Sequence, residues 1–256
     1  MDRNKIISRC GVLASVVLGG RRTNQKCPVF LSCGCRVGNP ASGGIKEIIM
    51  YPKIKTVFTR DPKTKYRTLV EGEFATLEFE YLQSNTWIWT EKVDGTNIRV
   101  MFDGNNITFG GKTDRAQIPA FLVNKLNELF LSQVEVFKRD FPDGVCLYGE
   151  GYGAKIQKGG GNYRPDQGFV LFDVKIGEWW LKREDVSDVA TKLEIDTVPE
   201  VGIGNMHEMV EFVRHGFRSK WGDFQAEGIV ARPLVELATR SGSRIITKIK
   251  RKDFNL

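Results

Sequence analysis

The stretch WTEKVDGTNIRVMF, residues 89–102, places one lysine, Lys92, between Glu91 and Asp94-Gly95 and then runs into alternating apolar positions. The alternation from Asn97 to Phe102 reads as a strand with one buried face. The charged Glu-Lys-Val-Asp-Gly turn before it serves no plain strand, and Lys92 reads as a covalent nucleophile. At the ordinary pKa near 10.4, about one free lysine in a few thousand is deprotonated at pH 7. A lysine that attacks phosphorus therefore needs nearby positive charge or a metal ion to lower that pKa. It also needs a phosphate whose own charge is neutralised, with the leaving group in line. The rest of the chain must supply further lysines, together with carboxylates able to hold a metal.

Those groups are present. ITKIKRK, residues 246–252, puts Lys248 and Lys250 two apart, so in a strand both ammonium groups share one face. LYGEGYG, residues 147–153, places Glu150 late in an apolar strand between glycines that permit close backbone approach. AEGIVARP, residues 226–233, sets Glu227 beside Gly228 in the same way. Carboxylates on buried strands are costly unless paired or bound to a cation, so each asks for a partner.

The net charge of +7 is unevenly spread. Residues 1–60 hold 11 Lys/Arg against 2 Asp/Glu, whereas residues 61–256 hold 27 against 29. The basic balance belongs to the leader and says little about the ligand of the body. One basic stretch stands out in the body: from Arg232 to Lys252 there are seven basic residues and one acid, Glu236. Cys10, Cys27, Cys33 and Cys35 lie in the leader without the paired spacing of a zinc site, and Cys146 reads as a small buried hydrophobe. The apolar run VLASVVL is far too short to span a bilayer. Residues 1–49 are accordingly set aside as a basic, Cys/Gly-containing leader outside the fold, and 50–256 as one domain. Cytoplasmic placement is expected, with a cleaved targeting leader as the alternative.

Along the body, NIRVMFDGNNITFG at 97–110 reads as a hairpin, and residues 119–139 carry Phe121, Leu122, Leu126, Leu129, Phe130 and Phe137 at helical spacing. Strands are expected at 145–150, 168–174, 226–232 and 244–250, and helices at 183–194 and 205–217, the second opening on an Asn205/Glu208 capping box. GGGN at 159–162 lacks the Lys-Ser/Thr of a phosphate loop and reads as a mobile loop. Trp87, Trp89, Trp179 and Trp180 read as sheet packing, and His207 and His215 as surface residues. Short hairpins with few helices and no Gly-rich β–α loop give an α+β domain with largely antiparallel sheets.

In chain order these blocks resemble the motifs of the covalent nucleotidyltransferases, the superfamily of DNA ligases, RNA ligases and mRNA capping enzymes. EKVDG resembles the first motif, LYGEGYG the third, FVLFDV (169–174) the block after it, AEGIVARP the fourth and ITKIK the fifth. FGGKTDRAQI, residues 109–118, sits where an arginine-bearing motif is expected, with Arg115 as the candidate. Glu91 before the lysine and Asn97 five residues after it are most similar to the RNA ligase 2 type. The resemblance implies an ATP-grasp-like domain with flanking helices. Only six residues follow Lys250, so no OB-fold is expected.

It also implies an ATP-dependent RNA ligase: Lys92 takes AMP from ATP, AMP passes to an RNA 5′-phosphate, and a 3′-hydroxyl displaces it. Glu91 would meet the adenine edge and Phe172 would stack on the base. Arg115 would hold ribose or phosphate, and Glu150 and Glu227 would contact ribose or the waters of a bound metal, Mg²⁺ or Mn²⁺. Lys248 and Lys250 would grip the α-phosphate and help depress the pKa of Lys92. Asp173 has two readings, holding backbone in place or reaching a metal. RNA ends or a nicked duplex would be the partner, with strand binding aided by the C-terminal basic stretch or by another protein or domain. The alternatives are a DNA-nick or capping-type enzyme and a nucleic-acid-binding module without activity.

Overall fold

The computed structural model describes residues 50–254; the leader and its cysteines lie outside the described residues. In chain order the strands and helices are β1 (Lys55–Thr56), β2 (Phe58–Arg60), β3 (Leu69–Phe74), α1 (Leu77–Tyr81), β4 (Trp87–Glu91), β5 (Thr96–Phe102) and β6 (Ile107–Gly110). They continue with α2 (Ala120–Phe130), α3 (Val134–Asp140), β7 (Val145–Gly153), β8 (Gln167–Ile176) and β9 (Trp179–Trp180). The last are α4 (Arg183–Lys192), β10 (Asp196–Thr197), β11 (Glu200–Gly204), α5 (Met206–His215), β12 (Gly228–Pro233) and β13 (Thr247–Lys250).

Two sheets carry the domain. The first runs β1-β13-β12-β4-β11 and the second β10-β8-β7-β5-β6, with β9 paired to β8. Every pairing is antiparallel except β1 with β13 and β10 with β8. The fold is thus the α+β, largely antiparallel architecture expected from the hairpin spacing.

Each sheet buries one face against helices, as period-2 alternation dictates. On the second sheet Ile98, Val100 and Phe102 of β5, Leu147 of β7 and Phe169 and Leu171 of β8 pack on Leu122, Leu126 and Phe130 of α2. Phe137 of α3 adds to the same core, its ring centroid 5.4 Å from that of Phe102. On the first sheet Trp87, Trp89, Ile229, Ala231 and Ile249 meet Met206, Met209, Val210 and Val213 of α5. Asn205 and Glu208 close the expected capping box, satisfying two backbone N–H groups at the start of that helix.

Three expectations change. The single helix over 119–139 is divided by a 3₁₀ turn at Leu131–Gln133, where the Gln133 amide donates to the carbonyls of Leu129 and Leu193. Those side-chain bonds hold the break, while Phe130 and Phe137 still reach one core. GGGN is no loose loop: Gly160–Asn162 forms a 3₁₀ turn, and a Cβ on Gly160 would collide with the Gly153 carbonyl oxygen. Finally, Trp179 is 78 % exposed, so only Trp87, Trp89 and in part Trp180 pack as the alternation implied.

Candidate active site

The two sheets face each other across a cavity of about 430 Å³. Lys92 follows β4 directly, and its backbone N–H donates to the Gly228 carbonyl at 2.8 Å. That bond ties the lysine's turn to the start of β12. From the second sheet, Gly95 presses on β7: a Cβ there would strike the Gly151 carbonyl oxygen and lie 2.8 Å from Glu150 Cγ. Glycine at 95 is therefore what lets Lys92 approach Glu150. The turn is held further by the Tyr163 hydroxyl, which accepts from the Asp94 N–H at 3.1 Å, and by Gln157, which donates to the Gly95 carbonyl at 2.9 Å.

Register brings the distant motifs together. β12 and β13 pair Val230 with Lys248 and Gly228 with Lys250, and β12 pairs with β4 at Ile229 and Glu91. Lys92 Nζ lies 2.5 Å from Glu227 Oε2, and Lys250 Nζ lies 2.5 Å from Glu227 Oε1. One carboxylate thus bridges two ammonium groups. Burial works to raise the pKa of Glu227, but Lys92 and Lys250 outweigh it and hold the carboxyl below its ordinary value. Lys248 lines the cavity beside them; burial, then Lys250 and Lys92, depress its ammonium pKa.

Across the cavity Asn97 and Glu150 are paired residues of β5 and β7. Glu150 is pushed up to about 7, chiefly by burial; Lys92 opposes the shift, while Glu227 and Asp94 add to it. Glu91 is buried, and burial raises its carboxyl pKa. One of its oxygens accepts from the Lys220 N–H at 2.8 Å, and the other has no hydrogen-bond partner. An unpartnered acceptor in a cavity wall is a costly feature that a bound donor would relieve. The Asn97 carbonyl oxygen is likewise buried without a partner.

Phe172 lies on the opposite face of β8 from Phe169 and Leu171 and lines the cavity, and a bulge is centred on it. β7 and β8 pair Tyr148 with Asp173 but Gly149 with Leu171, leaving Phe172 as the extra residue. The slip turns Asp173 away from the apolar core that takes Phe169 and Leu171 and brings Val174 into it, a re-aiming that bulges commonly perform. Asp173 is fully buried and accepts from the Tyr51 hydroxyl at 2.5 Å, from Arg232 at 2.8 Å and from Arg244 at 2.9 and 3.0 Å. Its oxygens are filled by these donors, which favours the backbone-holding reading over metal contact.

Of the residues singled out from the sequence, Glu91, Lys92, Asn97, Glu150, Phe172 and Lys248 line one cavity. Glu227 and Lys250 join through their ion pairs with Lys92. Arg115 is not brought in: it is exposed and outside the cavity lining, where Lys112 of the same segment appears instead. Arg99 is spent on holding that segment, donating to the Gly111 carbonyl at 2.9 Å and to Asp114 at 2.7 Å. Sequence reasoning missed Tyr51, which no motif marks. It also passed over Arg232, although period-2 spacing from Val230 puts both on one strand face.

No group of three or more His, Cys, Asp or Glu side chains able to hold a metal occurs among the described residues. Glu150 and Glu227 suit the mode in which a divalent cation takes one or two carboxylates plus substrate phosphates and water. No helix among the described residues is long and apolar enough to cross a membrane.

Comparison with known proteins agrees with this geometry. No curated protein sequence matches the chain. A Naegleria gruberi RNA ligase mutant with ATP and Mn superposes with a TM-score of 0.57 at 16 % identity, over 79 % of this chain and 56 % of that one. Another mutant of that ligase, with AMP and Mn, gives 0.55 at 15 %, covering 78 % and 57 %. The same ligase with PPi gives 0.54 at 17 %, covering 78 % and 61 %. The chain thus spans little more than half the length of these structures, and at such identity the likeness establishes the fold. The RNA ligase family model matches residues 85–250, from the start of β4 to the end of β13. That match takes in Lys92, both glutamates and both distal lysines, and the chain belongs to the RNA ligase family.

Proposed function

We propose that the chain is an ATP-dependent RNA ligase that works through a lysyl-AMP intermediate on Lys92. The observation that carries this reading is the convergence of Lys92, Lys248 and Glu150, from positions on or beside three separate strands, on one cavity sized for a small molecule, with Glu227 and Lys250 joined to Lys92 by ion pairs. The structural neighbours bearing ATP, AMP and Mn support the choice of nucleotide and cation.

In the first step Lys92 Nζ attacks the α-phosphorus of ATP; an N–P bond forms and the bond to pyrophosphate breaks. Glu227 holds Lys92 Nζ in an ion pair beside the cavity, and that pair must open before the amine attacks. An incoming triphosphate competes for Lys250 and Lys248 and loosens the Glu227 bridge. Lys248, with its depressed pKa, supplies charge to the α-phosphate. Glu91 offers its unpartnered oxygen to the 6-amino group of adenine, where guanine carries a carbonyl oxygen that cannot donate. Phe172 covers the base. A divalent cation held by Glu150 and Glu227 through waters would neutralise phosphate charge. AMP then passes to an RNA 5′-phosphate, and a 3′-hydroxyl displaces it to seal the strand.

The test is covalent labelling. Incubated with α-labelled ATP and Mg²⁺ or Mn²⁺, the chain should take up label that is absent in Lys92→Ala. Label that persists in that variant, or none in the wild type, rejects the reading. Transfer from GTP instead would indicate a capping-type enzyme. A panel of nicked RNA, DNA and hybrid duplexes reads strand type, with RNA expected to be sealed.

A further inference from the structure

A second groove shares a wall with the nucleotide cavity. Tyr51, Pro52, Lys53 and Ile54 line both, and from them the groove, of about 540 Å³, continues past Lys55, Lys175, Arg244 and Trp180. Its described lining holds four cationic side chains and one carboxylate, Glu78. Residues 50–256 as a whole hold 30 basic against 29 acidic residues, so this concentration is not a by-product of composition.

Two of these cations stand open to solvent, and Lys175 is buried against Trp180. Lys53 and Lys55 are exposed and form no ion pair among the described residues. Lys175 Nζ makes only a long contact, 3.5 Å, to Glu178, itself 88 % exposed. Arg244 is spent on Asp173 and Tyr51, but its guanidinium lies 3.8 Å from the centre of the Trp180 ring, and Lys175 Nζ lies 5.8 Å from it. The turn at 239–243 adds hydroxyl groups to the same wall. Cations that track a backbone beside an aromatic ring are the makings of a single-strand nucleic-acid seat.

We propose that this groove seats the single-stranded RNA flanking the end that reacts at Lys92. The proposal rests on the ligase reading and names the surface through which that second substrate reaches the cavity. Continuity through residues 51–54 brings the strand to the nucleotide without crossing either sheet. Affinity there is chiefly electrostatic and falls with salt.

The experiment uses the full chain and a 5′-phosphorylated, single-stranded RNA oligonucleotide, with anisotropy read across a salt series. Lys55→Ala and Lys175→Gln, alone and combined, are compared with Lys125→Ala on α2, a control that removes the same charge elsewhere. The double variant should bind RNA about 10-fold more weakly near 0.1 M salt, with the slope of log K against log salt reduced by about 0.7 per lysine. Label uptake from ATP should be unchanged. Wild-type affinity and slope in the double variant would overturn the proposal, as would equal weakening by Lys125→Ala. Lys175 is buried, so melting curves accompany each variant, and the exposed Lys55→Ala alone decides the question if the other unfolds. Binding does not depend on label: a wild type that takes no label but loses RNA affinity in these variants would sink the ligase reading and keep the groove.

Discussion

At Lys92 the decisive relation is with Glu227, which holds one ammonium on each carboxylate oxygen. Arginine at 92 would preserve that pair but could not shed its proton. Lys92→Arg should therefore leave the melting temperature within a few degrees of wild type and bind nucleotide, yet accept no label in the α-labelled ATP assay. Lys248→Ala and Lys250→Ala should each slow labelling by at least about 10-fold, the order expected for losing one charge contact to a transferring phosphoryl group. Glu150 carries the clearest pH signature. Its folded pKa of about 7 lies above the ordinary 4.5, so the folded form holds a proton more tightly than the unfolded one. Its favourable contribution is present below pH 4.5 and is lost as pH rises through about 7. Glu150→Gln should thus gain on the order of 1–3 kcal/mol relative to wild type at pH 8 but little at pH 4 in urea unfolding. Candidate positions at this scale were legible wherever a charged residue interrupted a strand pattern. Tyr51 was not, because one aromatic residue ahead of the first strand has no partner visible in one dimension.

Among the elements, alternation on β12 and β13 turned Val230, Arg232 and Lys248 to one side, and that much follows from a two-residue period. The bulge in β8 does not. FVLFDV reads as an apolar strand in which Asp173 would share the face of Phe169 and Leu171; the extra residue at Phe172 instead moves Asp173 onto Arg232 and Arg244. This buried cluster ties β8 to β12 and to the segment before β13. Burial works to raise the Asp173 pKa, but the two arginines prevail and hold it down, so its stabilisation is present above about pH 4 and lost in acid. Asp173→Ala should cost about 3–5 kcal/mol, as expected when a buried charge loses its partner, measured by urea unfolding at pH 7. Gly95→Ala should cost about 1–3 kcal/mol through the clash with Gly151 and should also slow labelling, since it displaces Lys92 from Glu150. Unchanged labelling in a folded Gly95→Ala protein would show that close approach of the sheets is dispensable. The helix break at Leu131–Gln133 was hidden for a related reason: the Gln133 bonds that hold it reach Leu193, 60 residues away.

For the whole molecule, the cavity takes Lys92 and Lys248 from one sheet and Asn97, Glu150 and Phe172 from the other. A nucleotide that contacts both sheets binds the folded state alone. ATP at about 100 times its Kd should then stabilise the protein by about 2.7 kcal/mol, seen as a rise of several degrees in the thermal midpoint. The rise should persist in Lys92→Arg and shrink in Lys248→Ala at the same ATP concentration. By itself the sequence determined the fold class, the blocks that form strands and four of the charged groups that line the cavity, Glu91, Lys92, Glu150 and Lys248. Each of these is written in local periodicity and in residue types that are costly to bury unpaired. The tertiary structure alone decided which partners those charges take: that Glu227 bridges two lysines, that Lys112 rather than Arg115 faces the cavity, and that Asp173 joins a buried cluster. Strand register and the approach of two sheets set those distances, and both arise from contacts between residues far apart in the chain.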